Sequence, residues 1–299
     1  RDDASDAIRA SVNKFKELES SLDAMAGKMA EAQVADIKAE AQALYDQIST
    51  GIADHTIATA DIDGLKNDIA KMINRLGLPE GMENASDDNP VECTSVIINP
   101  SYIDGNDNGW TGKAAIDGPA MDAEKFNTNF NYYQVLQGLP AGTYQVMVQG
   151  YYRAGNATAD YDAIVADPTA DNNAFLYAAG INNDTCSVSM ERLANEAVLL
   201  GEGEEPANGF VWASQDNMLA VPNSMTTAGE MFLTFNDVTG KNYYDNNVVT
   251  VKVGDDGVLT IGLKKNVLLQ DDWTIWTNWR LFYHGTNCSL EPDDDPSGI

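Results

Sequence analysis

The segment from Tyr132 to Arg153, YYQVLQGLPAGTYQVMVQGYYR, constrains the fold more than any other. It reads as two β-strands joined by a tight turn at Leu139-Pro140-Ala141-Gly142. Proline presets φ there, and glycine accepts the positive φ that follows. Along the second strand Tyr144, Val146, Val148, Gly150 and Tyr152 share one face; Gln145, Met147, Gln149, Tyr151 and Arg153 share the other. The second face is too polar for a plain core and too aromatic for a plain solvent face. It is read as a sheet surface that binds something.

The hydrophobic period is different upstream. Ile8, Val12, Phe15, Leu18, Leu22, Met25 and Met29 recur at helical steps, as do Val34, Ile37, Ala41, Leu44, Ile48 and Ile52, and then Ile62, Leu65, Ile69, Met72 and Leu76. Three helices with short links predict an antiparallel three-helix bundle over residues 1–80. Its Met and Leu stripes are read as core, with a partner-binding helical face as the alternative, so a protein partner through the bundle stays open. Residues 81–91 form a polar linker without periodicity. Beyond it the reading places strands at Thr94–Ile98, Ala174–Ala178 and Trp273–Tyr283. A second hairpin joins Asn247–Val253 to Val258–Leu263 through Gly254-Asp255-Asp256-Gly257. Asn156–Asn173 and residues 180–217 read as loops. Many short strands with Gly, Pro and Asn turns predict a β-sandwich over 92–290. The acidic residues 291–299 read as a disordered tail.

A formal net charge of −28 repels phosphate backbones, anionic lipid and anionic glycans. Nucleic acid is not an expected partner. No run of about 18 apolar residues is present, so no membrane insertion is expected. The chain opens RDDASDA and ends PDDDPSGI, which reads as a piece of a longer precursor. Its cysteines are Cys93, Cys186 and Cys288, an odd number that leaves at least one unpaired. With only His55 and His284 beside them, a zinc centre or a Cys/His nucleophile pair has little material.

Three constellations could carry chemistry. Asp104-Gly105-Asn106-Asp107-Asn108-Gly109 matches the first half of a calcium loop, with Asp104, Asn106 and Asn108 at the alternating ligand positions. Ala115 stands at the twelfth position, where a bidentate Glu belongs; the alternative is an Asx-rich turn. Paired carboxylates such as Asp271-Asp272, or Asp160 with Asp162, sit in no recognisable catalytic motif, and Ser224 lacks a nucleophile elbow. The chain is expected not to be an enzyme. The aromatic residues are the stronger signal, because a sugar binds with its C–H face on a flat ring and its hydroxyls on amides and guanidinium. Gln149, Tyr151 and Arg153 on one strand face, with Trp110, Tyr161 and Trp212 in loops, form the candidate ligand site. Tyr152, Phe126, Trp273 and Trp279 are read as core, and Arg153 as an ion-pair partner of Glu124.

Several blocks also carry a resemblance. They are Glu124, Phe126, Tyr133-Gln134, Gly138 to Tyr144, Val148-Gln149-Gly150 and Tyr152-Arg153, then Val221-Pro222-Asn223-Ser224-Met225, Leu259-Thr260-Ile261-Gly262 and Asp272 to Leu281. Over roughly residues 90 to 288 the chain resembles a galactose-binding-like jelly-roll domain, similar to carbohydrate-binding modules, of secreted and surface proteins of glycan-degrading bacteria. Thr277 stands where that pattern has Asp, and Trp276 and Trp279 replace Phe. The resemblance implies a jelly roll, a neutral glycan ligand, a secreted, periplasmic or cell-surface location and, in some such modules, a structural calcium. It further implies that the first and last strands pair antiparallel, which would bring Cys93 and Cys288 together as a disulfide and leave Cys186 free. The function expected is non-catalytic carbohydrate binding; the alternative is a structural or protein-interaction module with no sugar ligand.

Overall fold

The computed structural model describes residues 2–168 and 172–297. The helical stripes form α1 (Asp2–Glu31), α2 (Ala35–Ala53) and α3 (Ile62–Leu76). Leu18, Leu22, Met25 and Met29 of α1 meet Ala41 and Ile48 of α2 and Ile69, Met72 and Leu76 of α3 in one buried cluster. Ser11 lies level with Thr59, just before α3, so the turns of α1 preceding it extend past its partners. Ile8 and Val12 belong to the stripe but not to the core, at 66% and 47% exposed. Leu78 leaves the helices and buries itself in the core of the β region, against which Ile37 of α2 also packs.

The strands, in order, are β1 (Val91–Glu92), β2 (Ala115–Asp117), β3 (Asp122–Phe126), β4 (Phe130–Leu136) and β5 (Gly142–Arg153). Next come helix α4 (Ala157–Ala166), β6 (Ala174–Ala179), β7 (Thr185–Ser189), β8 (Val198–Leu199), β9 (Phe210–Ser214) and β10 (Leu219–Pro222). Helix α5 (Met225–Phe232), β11 (Phe235–Asn236), β12 (Lys241–Asn242), β13 (Asn247–Val253), β14 (Leu259–Lys265) and β15 (Trp273–Tyr283) complete the chain. One antiparallel sheet runs β13-β5-β15-β3-β2, with β1 also on β15; a second runs β4-β14-β6-β7. They face each other as a β-sandwich. Tyr144, Val146, Val249, Val251, Trp276 and Leu281 of the first pack against Tyr132, Leu136, Leu176, Ile261 and Leu263 of the second.

Both expected hairpins turn out to be corners. β4 pairs with β14 and β5 with β13 and β15, so the turn after Leu136 carries the chain from one sheet to the other. The turn between β13 and β14 makes the same crossing. Alternation cannot separate the two cases, because strands in facing sheets and strands in one hairpin both show an apolar face to the same core. The two corners are bonded to each other, Leu139 N–H donating to Gly257 O at 3.1 Å. Tyr144 braces the first corner by donating its hydroxyl to Pro140 O at 2.8 Å.

The first sheet is covered on its outer side too. Tyr151, Trp273 and Ile275 pack beneath Leu193, Ala213, Val221, Phe232 and Tyr244, contributed by α5, a small sheet ordered β8-β10-β9 and adjoining loops. The stretch expected as loop from residue 180 to 217 therefore holds β7, β8 and β9, and the one from Asn156 holds α4, capped by Asn156 Oδ1 accepting from Ala159 N. Residues 169–171 of that stretch lie outside the described residues. Thr94–Val96 is a single tight helical turn rather than a strand.

The acidic tail is also corrected. Asp293 N donates to Thr250 O at 3.0 Å, its carboxylate accepts from Thr250 N at 2.6 Å, and Asp294 O accepts from Ser187 N at 3.0 Å. The tail thereby bridges β13 of one sheet and β7 of the other; residues 298–299 lie outside the described residues. The Cys93–Cys288 disulfide is not formed, and all three cysteines are free. The first and last strands do pair antiparallel, but Val91 lies opposite Tyr283 and Cys93 N bonds to Leu281 O, so the register sets Cys93 well before Cys288.

Candidate functional site

The polar-aromatic face of β5 is covered at Gln149 and Tyr151. Gln149 is buried, donates to Phe232 O and Tyr243 O at 2.8 Å each, and accepts from Asn278 Nδ2 at 2.7 Å. Tyr151 is fully buried, its ring 4.5 Å from that of Tyr244 and 5.5 Å from that of Trp273. Trp110 is buried as well, stacked on Tyr132 at 5.0 Å with Nε1 donating to Asn99 O at 3.3 Å. Tyr161, on α4, accepts from Asn217 Nδ2 at 3.1 Å and is not among the residues that line the cleft described below. A polar face of this kind can be satisfied by the carbonyls of an overlying layer, which strand periodicity does not report.

The expected calcium loop is an Asx turn. Asn106 Oδ1 accepts from Asn108 N at 3.0 Å, its Nδ2 donates to Asp104 O at 3.2 Å, and the buried acid is Asp107, between the alternating positions. Asp107 is held by Lys113 Nζ at 3.0 Å and Ala114 N at 3.2 Å.

Arg153 and Trp212, by contrast, share a cleft of about 410 Å³ with Phe126, Asn156, Asn223 and Asp271. β3 ends on Phe126 and β5 on Arg153, each opposite Trp273 at the start of β15. β9 contributes Trp212, paired with Ala220, and Asn223 follows directly after β10. Arg153 ties these walls together: Nε donates to Gly155 O at 2.8 Å, one terminal nitrogen to Asn223 Oδ1 at 2.7 Å and the other to Asp271 O at 3.1 Å. Three of its five donors are used, which leaves two. Asp271 reaches its place through a left-handed φ of 63°, a conformation that Asp adopts more readily than most residues.

Arg153 does not pair with Glu124. The guanidinium lies 5.2 Å above the Trp273 ring, and Glu124 accepts from the Nε1 of the same indole at 2.6 Å, so the tryptophan stands between them. Burial lowers the proton affinity of Arg153, opposed by Tyr151 and by Asp160, Asp271 and Asp272. Burial raises Glu124, opposed by the Trp273 hydrogen bond and by Arg153. Thr277, where the resembled pattern has Asp, donates its hydroxyl to Met121 O, a bond that an ionised carboxylate cannot make.

The cleft offers two aromatic surfaces to solvent: Phe126 is 50% exposed and Trp212 half-buried. Asn156 and Asn223 each commit their side-chain oxygen and keep an NH₂ group for a ligand. A larger cleft of about 630 Å³ lies between Val34 and Ile37 of the helical region, residues 78–83 and Pro140, but no aromatic ring lines it. Phe126, Asn156, Asn223 and Asp271 were not singled out by the sequence as ligand-facing. Phe126 and Asn223 both lie within the resembling blocks, which was the available signal for them.

No family model matches the chain, and no curated protein matches it. Among solved structures, the chain is similar to TmCBM61, a carbohydrate-binding module in complex with beta-1,4-galactotriose, at 14% identity and a TM-score of 0.31. The match covers 62% of this chain and 95% of that one. At that score the likeness decides neither fold nor ligand. Among the described residues, no helix is long and apolar enough to cross a membrane.

Proposed function

We propose that the Phe126–Trp212 cleft binds a neutral glycan without catalysis. The observation that carries this reading is two solvent-facing aromatic rings around the anchored guanidinium of Arg153, with the amides of Asn156 and Asn223 beside it. The aromatic rings suit the C–H face of a sugar, and the free N–H groups suit its hydroxyls. Arg153 and Asp271 are the charged residues of the lining and offset each other, which favours an uncharged ligand. Among the described residues, Asp271 is the one carboxylate that lines the cleft, whereas glycoside hydrolysis uses two. In this reading the facing sheets are a galactose-binding-like jelly roll, the helices over 1–80 are a spacer or docking module, and the protein works outside the cytoplasm.

Screening the purified chain on an array of neutral plant, host and microbial glycans tests the proposal. An open cleft implies weak binding, in the micromolar to millimolar range, or about −4 to −8 kcal/mol. For any ligand found, Trp212→Ala at an unchanged melting temperature should cost about 1–3 kcal/mol by calorimetry. Equal binding by that variant would place the site elsewhere. An array without ligands would favour a protein-interaction module, for which the exposed run Val267-Leu268-Leu269, just before Asp271, is the surface to probe.

A further inference from the structure

A second cluster lies at the other end of β15, away from the cleft. One carboxylate oxygen of Asp87, one ring nitrogen of His284 and the Sγ of Cys288 lie within 4.8 Å of one another. Three cysteines and two histidines are little material for a metal, but the fold gathers an H-x-x-x-C pair and a distant Asp. Asp87 sits in a turn closed by Ser86 N to Asn89 O at 3.2 Å and Asn89 N to Ser86 O at 3.1 Å. His284 follows β15 directly.

The surroundings orient each group. His284 is 4% exposed, and its Nε2 lies 3.1 Å from Gln145 Oε1. That oxygen only accepts, so Nε2 carries the proton and Nδ1 keeps its lone pair. The Gln145 amide is oriented by its other end, Nε2 donating to Thr250 Oγ1 at 3.5 Å. His284 Nδ1 is buried with no hydrogen-bond partner, a state that buried polar atoms rarely keep. Asp87 is held by Ser289 N, at 3.2 and 3.0 Å from its two oxygens, and Cys288 Sγ accepts from Leu290 N at 3.3 Å.

We propose that Asp87, His284 through Nδ1 and Cys288 bind a divalent transition-metal ion, zinc(II) foremost, and so clip the segment before β1 to the end of the last strand. Thiolate, imidazole and carboxylate form a zinc-type donor set rather than a calcium or magnesium one. Three protein ligands leave a fourth tetrahedral position for water. Gln145 is the positioning residue, since a ring N–H bonded to an acceptor is the usual support of a metal-bound histidine. Burial lowers the proton affinity of His284, which favours the neutral imidazole that a metal needs. Burial and the neighbouring Asp87 raise the Cys288 thiol, so it stays protonated until a cation displaces its proton. A nucleophilic cysteine would show the opposite shift.

The probe is cobalt(II), added to the chelator-treated full chain. Acidic surface groups bind cobalt loosely, so total uptake is not the readout; the sulfur-to-cobalt charge-transfer band is. The expected result is a band that saturates at about one equivalent, disappears on adding zinc(II) and is absent in Cys288→Ser. Asp87→Asn should weaken zinc(II) binding by roughly tenfold or more. Cys186→Ser, a cysteine outside the cluster, should keep the band. Both Asp87 and Cys288 are only half-buried, so these variants avoid the folding risk of changing His284. Cobalt uptake without the band, or a band undiminished in Cys288→Ser, overturns the proposal.

Discussion

Asp122 is a carboxylate that the fold holds against its chemistry. It is wholly buried in β3 and neither oxygen has a hydrogen-bond partner. Burial, then the charges of Asp117 and Glu124, push it up to about 8. Burial and Glu196 push Glu191 to about 8 as well. The folded form of each binds its proton more tightly than the unfolded form. Their contribution to stability is therefore full below the ordinary carboxylate range and is lost as pH rises through about 8. The melting temperature should be higher near pH 5 than near pH 8.5, and Asp122→Asn should raise it at the higher pH and flatten the difference. A pH profile unchanged in that variant would contradict this account. At the same scale, the unreduced, denatured protein should titrate three thiols, one for each free cysteine; a single thiol would restore the disulfide. Residue identity alone flagged Arg153 and Trp212 as ligand groups, and both line the cleft. It misjudged Tyr151 and Gln149, because the layer that covers them is built from residues 193–244, distant in sequence.

Strand existence was legible wherever the period was two, since β4, β5, β13, β14 and β15 all fall where alternation put them. Pairing was not legible. Both five-residue-scale turns look like hairpin turns, yet each crosses between sheets, because the core lies between strands rather than beneath a single ribbon. Helix α4 went unseen for a different reason: it lies in the Asn156–Asn173 stretch, whose Ala, Asp and Asn content resembles a loop, and only the Asn156 cap marks its start. The corner itself can be tested. Tyr144 is buried with its hydroxyl on Pro140 O, so Tyr144→Phe removes the brace with almost no change of volume. The expected loss is about 1–2 kcal/mol of unfolding free energy, read from denaturant midpoints at constant slope. No loss would mean that the corner is held by its other ties, the Leu139–Gly257 bond and the Tyr283 hydroxyl on Ala141 O.

For the whole molecule, the acidic composition promised a loose tail, but residues 293–295 act as a strap across two sheet edges. Deleting residues 291–299 should cost about 1–3 kcal/mol, from the hydrogen bonds lost at Thr250 and Ser187, rather than improve solubility at no cost to folding. A melting temperature unchanged by the deletion would show that the strap contributes nothing. The broad division into helices and β-sandwich could be read from the change of hydrophobic period near residue 80. The location of the cleft could not, because its six principal residues come from β3, β5, β9 and three separate loops or caps. The same geometry supplies its own probe. Trp110, Trp273, Trp276 and Trp279 are buried, whereas Trp212 is half-exposed in the cleft wall. Acrylamide quenching of tryptophan emission therefore reports chiefly on Trp212. A glycan that binds as proposed should protect this fraction with a midpoint equal to its calorimetric Kd, and the protection should vanish in Trp212→Phe. A glycan that binds by calorimetry yet leaves Trp212 fully quenchable would contradict the account.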